Sequence, residues 1–373
     1  MTPHLPSREE VADLLAWAPE HGVLSVCVRV EPGDRSQGWR AELRGALREV
    51  EDAAERPARR ALAAAAKHVL ERFPEGGHPP GESGQIGFVE VGGEGRAAWY
   101  SSRLGPEKTT VVLRPRPAVM PLLAALDEGR PRGVAIVSGE RVRLARWEAG
   151  ALIERTSFEL ETLQLDWRER KAKAPANPAR EQGVSSSGHD RFDDRLAHNR
   201  KRFLHEVGRL IAERANRLGV TEIFALGPRD LARELEHGMN GKATVHVEEL
   251  DHHDLISVPL GDLEERVTEL VCERNARRQR ELMELALERG GGKRRAALGP
   301  AAVAEALAQG RVEHLLIDRY GRLEPTGENG RRDISAEWLV ERALATSARV
   351  TALDGDADEA IRQVGGVAAL LRY

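Results

Sequence analysis

Chemically able side chains gather at a few places in this 373-residue chain. Ser187-Gly188-His189, followed by Asp190, offers one imidazole that titrates near neutrality and could serve as a general base. No second base or nucleophile stands near it, so the plainer reading of His189 is a polar neighbour of a helix start. Asp251-His252-His253-Asp254 has the residue types of a metal centre. Four consecutive residues rarely converge on one ion, however, and no HExxH spacing accompanies them, so they read as an exposed loop. Gly290-Gly291-Gly292-Lys293 has the composition of a phosphate loop without the GxxxxGK[ST] spacing or a preceding strand. Neither a metal nor a cofactor is expected. Lys293-Arg294-Arg295 reads equally as a phosphate contact or a solvated loop.

The remaining chemistry is electrostatic. Arg191, Arg195, Arg200, Lys201 and Arg202, with His198 and His205, crowd the first half of one predicted helix. Its apolar face is expected to carry Phe192, Leu196, Phe203, Val207, Leu210, Ile211, Ala215 and Leu218, which recur at helical spacing. The stretch before it, 171–189, is rich in Ala, Pro, Ser and Gly and includes Gly183. It has almost nothing to bury and is predicted to be a flexible loop. Lysine and arginine on such a helix can contact RNA phosphates without reading sequence.

Composition bounds the alternatives. A hydrophobic fraction of 41% suffices for two or three cores, and 31% charged residues argues against a membrane protein. No apolar run has transmembrane length, the start lacks signal-peptide design, and a cytoplasmic protein is expected. Cys27 and Cys272 have no CxxC partner and imply neither a disulfide framework nor a zinc site. The net charge of −4 leaves any RNA affinity to local patches. With aromatics at only 4%, base-stacking platforms are not expected, which suits recognition of a folded RNA by shape.

Three α/β domains are predicted to position these residues: 1–115, 116–260 and 261–373. The first has an opening helix with a Ser7/Glu10 capping box, a buried strand over Val23–Val30, a helical stretch over Gln37–Phe73 and two or three further strands. In the second, a helix at VMPLLAALDEG leads into a strand meander, the long basic helix, the strand TEIFAL, a GPRD turn, a helix and the strand ATVHVEE. That order describes a mixed sheet with helices packed on it. The third begins with a long helix from Leu263, broken at Gly290, and continues as alternating helices and strands to VAALLRY. It reads as an α/β/α sandwich.

This succession resembles the bacterial branch of the archaeo-eukaryotic class-one release factor and Pelota superfamily. The resemblance rests on SSSGHDRFDDRLAHNRKRFLHEV, TEIFALGPRD, ALGPAAVAEALAQGRVEHLLI and GGVAALLRY, and covers about residues 130–373. It implies an amino-terminal domain, a middle domain entering the peptidyl-transferase region, and a carboxy-terminal sandwich similar to kink-turn-binding proteins. In release factors the middle-domain loop carries Gly-Gly-Gln, whose backbone helps to position water and stabilise an oxyanion. The register set by Arg191-Phe192 puts Ser187, Gly188 and His189 opposite that tripeptide, and the glutamine is missing.

Balon-like hibernation factors of the superfamily lack the tripeptide and occupy the ribosomal A site. The resemblance therefore implies a monomeric factor for vacant or stalled ribosomes. Ribosomal RNA would be its partner, with tRNA and a translational GTPase as further partners, and no membrane. The alternatives are a peptidyl-tRNA hydrolase for ribosome rescue and, from another class, a general RNA-binding or nuclease protein.

Overall fold

The computed structural model describes residues 5–30, 38–73, 84–92, 95–106, 108–160, 186–249, 256–292, 295–324 and 334–373. Contacts divide the chain into two compact units. One is Met1–Arg130, Ala149–Ala151 and Val267–Tyr373; the other is Pro131–Glu148 and Leu152–Arg266. Among the described residues no helix is long and apolar enough to cross a membrane.

In the first unit, α1 (Arg8–Leu15) is entered through the expected capping box. Ser7 Oγ accepts from the Glu10 amide at 3.2 Å, and Glu10 Oε2 accepts from the Ser7 amide at 2.7 Å. The apolar run at Val23–Val28 forms β1, every residue of it buried. With β2 (Gly84–Glu90), β3 (Ala97–Ser102) and β4 (Thr110–Arg114) it makes an antiparallel sheet of order β3-β2-β1-β4. Alternation divides the strand between two cores. Leu24, Val26 and Val28 pack with Trp39, Leu43 and Leu47 of α2 (Gly38–Ala53) and Leu62 and Val69 of α3 (Arg56–Arg72). Val23 and Cys27 belong to the other core. That core also takes Met120, Leu122, Leu123, Ala124 and Ala125 of α4 (Met120–Glu128), a helix apolar almost all round and buried accordingly.

The carboxy-terminal sheet contributes to the same core. It comprises β10 (Ala296–Leu298), β11 (Val312–Asp318), β12 (Arg349–Leu353) and β13 (Val367–Leu371) in the order β10-β13-β11-β12, with only β11 and β12 parallel. Leu315, Ile317, Ala369 and Leu371 face α8 (Pro300–Ala308) and α9 (Ala336–Ala345). Leu316, Leu353, Ala368 and Leu370 pack instead with Met283 and Ala286 of α7 (Leu260–Gly292) and Ala357 and Ile361 of α10 (Gly355–Gln363). Both sheet faces are apolar because both are covered, which makes the α/β/α sandwich.

One expectation is corrected here. The long helix does not break at Gly290 but continues through Gly292. A helical glycine costs about 1 kcal/mol relative to alanine, and packing overrides it. A Cβ on Gly290 would lie 2.6 Å from Leu298 Cδ1, so the missing side chain is what lets β10 lie against the helix.

The second unit is built on a mixed sheet. Its strands are β5 (Arg132–Val137), β6 (Arg141–Glu148), β7 (Ala151–Glu159), β8 (Glu222–Leu226) and β9 (Thr244–Glu248), in the order β7-β6-β5-β8-β9. β5 pairs antiparallel with β6 and parallel with β8, and β8 pairs parallel with β9. The helices of this unit are α5 (Ser186–Arg217) and α6 (Arg229–Met239). Gly227 turns the chain from β8 into α6 with φ +145°, where a Cβ would meet Val137 O at 2.4 Å.

Candidate nucleic-acid interface

The seat of α5 determines which of its residues reach solvent. Leu204, Val207, Ile211, Ala212 and Ala215 are buried against Ala135, Val137, Leu144 and Ile223 of the sheet and against Leu235 and Met239 of α6. The expected apolar face is thus rotated. Leu210 and Leu218 are 37% and 51% exposed, whereas Leu204, absent from the expectation, is fully buried. Leu210 precedes Ile211 by one residue, which places it about 100° round the helix from the buried stripe.

Arg195 and Arg202 lie on the exposed surface of α5. Arg200 and Lys201 have acidic partners across the fold. Arg200 Nη2 is 3.5 Å from Glu140 Oε1 in the β5–β6 turn, and Lys201 Nζ is 3.1 Å from Glu234 Oε1 on α6. Exposed pairs of this kind contribute about 0–1 kcal/mol, so either cation can exchange its carboxylate for a phosphate at little cost. The Arg191 backbone is helical, and its side chain lies outside the described residues.

The predicted loop 171–189 is corrected at its end. Ser187, Gly188 and His189 belong to the first turn of α5, which begins at Ser186. Serine is favoured at helix starts and the Ser186–Asp190 stretch holds no proline, so nothing local stops the helix short of it. Gly183 and the rest of 171–185 lie outside the described residues, as does Asp251-His252-His253-Asp254.

The crossing of α5 and α6 brings together residues that sequence reasoning did not connect. A Cβ on Gly208 would lie 2.3 Å from Leu235 O, and one on Gly238 would lie 2.4 Å from His205 O. The two backbones are in contact because both residues are glycine. Beside the contact, His205 Nε2 is 2.7 Å from Glu234 Oε2, and His237 Nδ1 is 4.0 Å from the same oxygen. Burial pushes the Glu234 carboxyl up, but hydrogen bonds from Lys201 and His205 and their charges outweigh it and hold the group below its ordinary value. Glu234 and His237 share a helix face at i, i+3, a spacing legible in the sequence; the third member, on another helix, was not.

A second ionic group sits on the strands of the sheet itself. Arg132 is 1% exposed, and its Nε donates to Glu222 Oε2 at 3.0 Å. Its guanidinium lies 5.6 Å from the ring centre of Trp147, its cross-strand partner in the β5–β6 register. His246 Nε2 is 3.6 Å from Glu222 Oε1, with its ring 5.1 Å from that of Phe224. His246 first, then Arg132, outweigh burial and hold Glu222 down to about 2.

The span holding α5, α6 and this sheet also carries the family signal. Residues 117–274, less than half of the chain, match the sequence model of bacterial archaeo-eukaryotic release factor family 10. Over that span the chain is similar to bacterial homologues of archaeo-eukaryotic release factors.

Among solved structures, ribosome-bound archaeal Pelota with ABCE1 is similar at 14% identity, covering 99% of this chain and 95% of that one, with a TM-score of 0.41. Dom34 of S. cerevisiae, a translation termination-like factor, is 13% identical over 79% and 80% of the two chains, with a TM-score of 0.41. The archaeal translation termination factor aRF1 is 19% identical over 99% of each, with a TM-score of 0.25. Scores below 0.5 add nothing to the family match. No curated protein matches the chain.

Proposed function

We propose that this protein is a cytoplasmic translation factor that enters the A site of vacant or stalled ribosomes and holds them without releasing peptide. One observation carries the reading. The release-factor match spans α5, and the register read from Arg191-Phe192 would put Ser187-Gly188-His189, at the head of that helix, opposite the Gly-Gly-Gln of release factors. The exposed cations of α5 support contact with ribosomal RNA backbone. Three domains, 1–115, 116–260 and 261–373, belong to the proposal, as do tRNA and a translational GTPase as partners.

Co-sedimentation of the purified chain with ribosomes tests the binding. Replacing Arg195, Arg200, Lys201 and Arg202 with Ala should weaken it and flatten the slope of log affinity against log salt by about 0.7–0.9 for each lost phosphate contact. Binding that the quadruple variant retains at every salt concentration would show that α5 is merely solvated. Release of labelled nascent peptide from stalled ribosomes tests the chemistry. Wild type should release little, and His189→Ala should bind as wild type does. Robust release that vanishes in His189→Ala would make the protein a peptidyl-tRNA hydrolase instead.

A further inference from the structure

We infer that the crossing of α5 and α6 holds one divalent transition-metal ion of the zinc class, ligated by His205 Nε2, Glu234 Oε2 and His237 Nδ1. The three side chains come from two helices whose approach is set by Gly208 and Gly238, so the backbone geometry of the site is built before any ion arrives. Their ligand atoms all lie within 4.8 Å of one another. Zinc takes imidazole nitrogen and carboxylate oxygen at about 2.0–2.2 Å, which puts two ligands of a tetrahedral ion about 3.3–3.5 Å apart. The distances of 2.7 Å and 4.0 Å from Glu234 Oε2 to the two imidazoles bracket that spacing, and small side-chain rotations reach it.

The hydrogen bond between His205 and Glu234 accounts for that pair alone. It leaves His237 unexplained: its ring lies 6.4 Å from that of His205, and its Nδ1 faces the same carboxylate oxygen without bonding to it. Lys201 engages the other oxygen, Oε1, and so orients the carboxylate with Oε2 toward the two rings. Two imidazoles and one carboxylate favour zinc and its transition-metal neighbours over magnesium or calcium, which prefer all-oxygen shells. An incoming ion replaces the proton that His205 Nε2 donates to Glu234 Oε2, and that proton leaves to solvent or moves to Nδ1. Three protein ligands leave a fourth position for water, and the side-chain exposures of His205 and His237, 41% and 71%, keep it open. The ion would clamp α5 to α6 just beyond the basic half of α5.

The test uses the full chain, stripped of metal with a chelator and titrated by calorimetry with zinc alone. Cobalt gives an independent readout through its visible absorption, and magnesium serves as a control. Wild type should bind one equivalent of zinc at this site. His205→Ala, Glu234→Gln and His237→Ala should each weaken binding at least tenfold, and zinc should raise the Tm of wild type but not of His237→Ala. His237 is exposed enough to replace without disturbing the fold, so this variant remains informative if His205→Ala unfolds. The chain has 12 histidines, which makes the variants decisive. No zinc bound by wild type, or binding by His237→Ala and Glu234→Gln as tight as that of wild type, would overturn the site.

Discussion

Glu222 and Glu234 each meet a histidine and a basic side chain within the same unit, and their surroundings separate their roles. Glu222 stands at the start of β8 against a guanidinium that is almost wholly enclosed and stacked on Trp147. Glu234 stands on α6 among Lys201, His205 and His237, all reached by solvent. The same residue types thus make an internal brace in one place and an accessible cluster in the other. Burial decides between the two. An enclosed charge must keep its partner, whereas an exposed one can exchange it for water, phosphate or a metal ion.

The comparison can be broken by removing one partner at the enclosed end. Arg132→Ala leaves Glu222 without its guanidinium and empties the space beside Trp147; we expect a loss of about 3–5 kcal/mol in urea unfolding. A loss below about 1 kcal/mol would mean that the enclosed group is no brace. A smaller effect is expected at the helix crossing. Gly208→Ala sets a methyl group 2.3 Å from Leu235 O, and separating the helices to relieve it should cost about 1–3 kcal/mol. Denaturant midpoints for wild type and variant measure it.

A third effect is a matter of acid slope. Glu222 is held at about 2 in the folded chain against an ordinary value of 4.5. Its folded value is depressed, so its contribution is fully present above pH 4.5 and is lost as pH falls from there toward 2. Glu222→Gln should flatten the fall of stability with acid in that window, and chemical denaturation at stepped pH reads the slope. An unchanged slope would place Glu222 with Glu234 as a solvent-screened group.

Much of the scaffold was legible because its signals are local. Ser7 and Glu10 announce α1, the β-branched run at Val23–Val28 announces β1, and Arg349–Leu353 and VAALL announce the strands that close the sandwich. The three-residue β10 gave too short a pattern to read. Leu210 was misplaced because a long helix with apolar residues on adjacent positions admits two stripes about 100° apart, and only the packed sheet chooses between them. Gly290 misled because glycine weakens a helix in isolation but permits one where another strand packs close.

By itself, then, the sequence determined the order of helices and strands, the covered and open faces of most of them, and the release-factor resemblance of the stretch around α5. Each depends on spacing along the chain. Tertiary structure alone decided that β1, α4 and the carboxy-terminal sheet would share one core, that Arg132 would be enclosed beside Glu222, and that His205 would meet Glu234 and His237. These are meetings of residues far apart in sequence. Close approach is set by what the backbones permit, here two glycines face to face at a helix crossing, and periodicity along a chain carries no record of it.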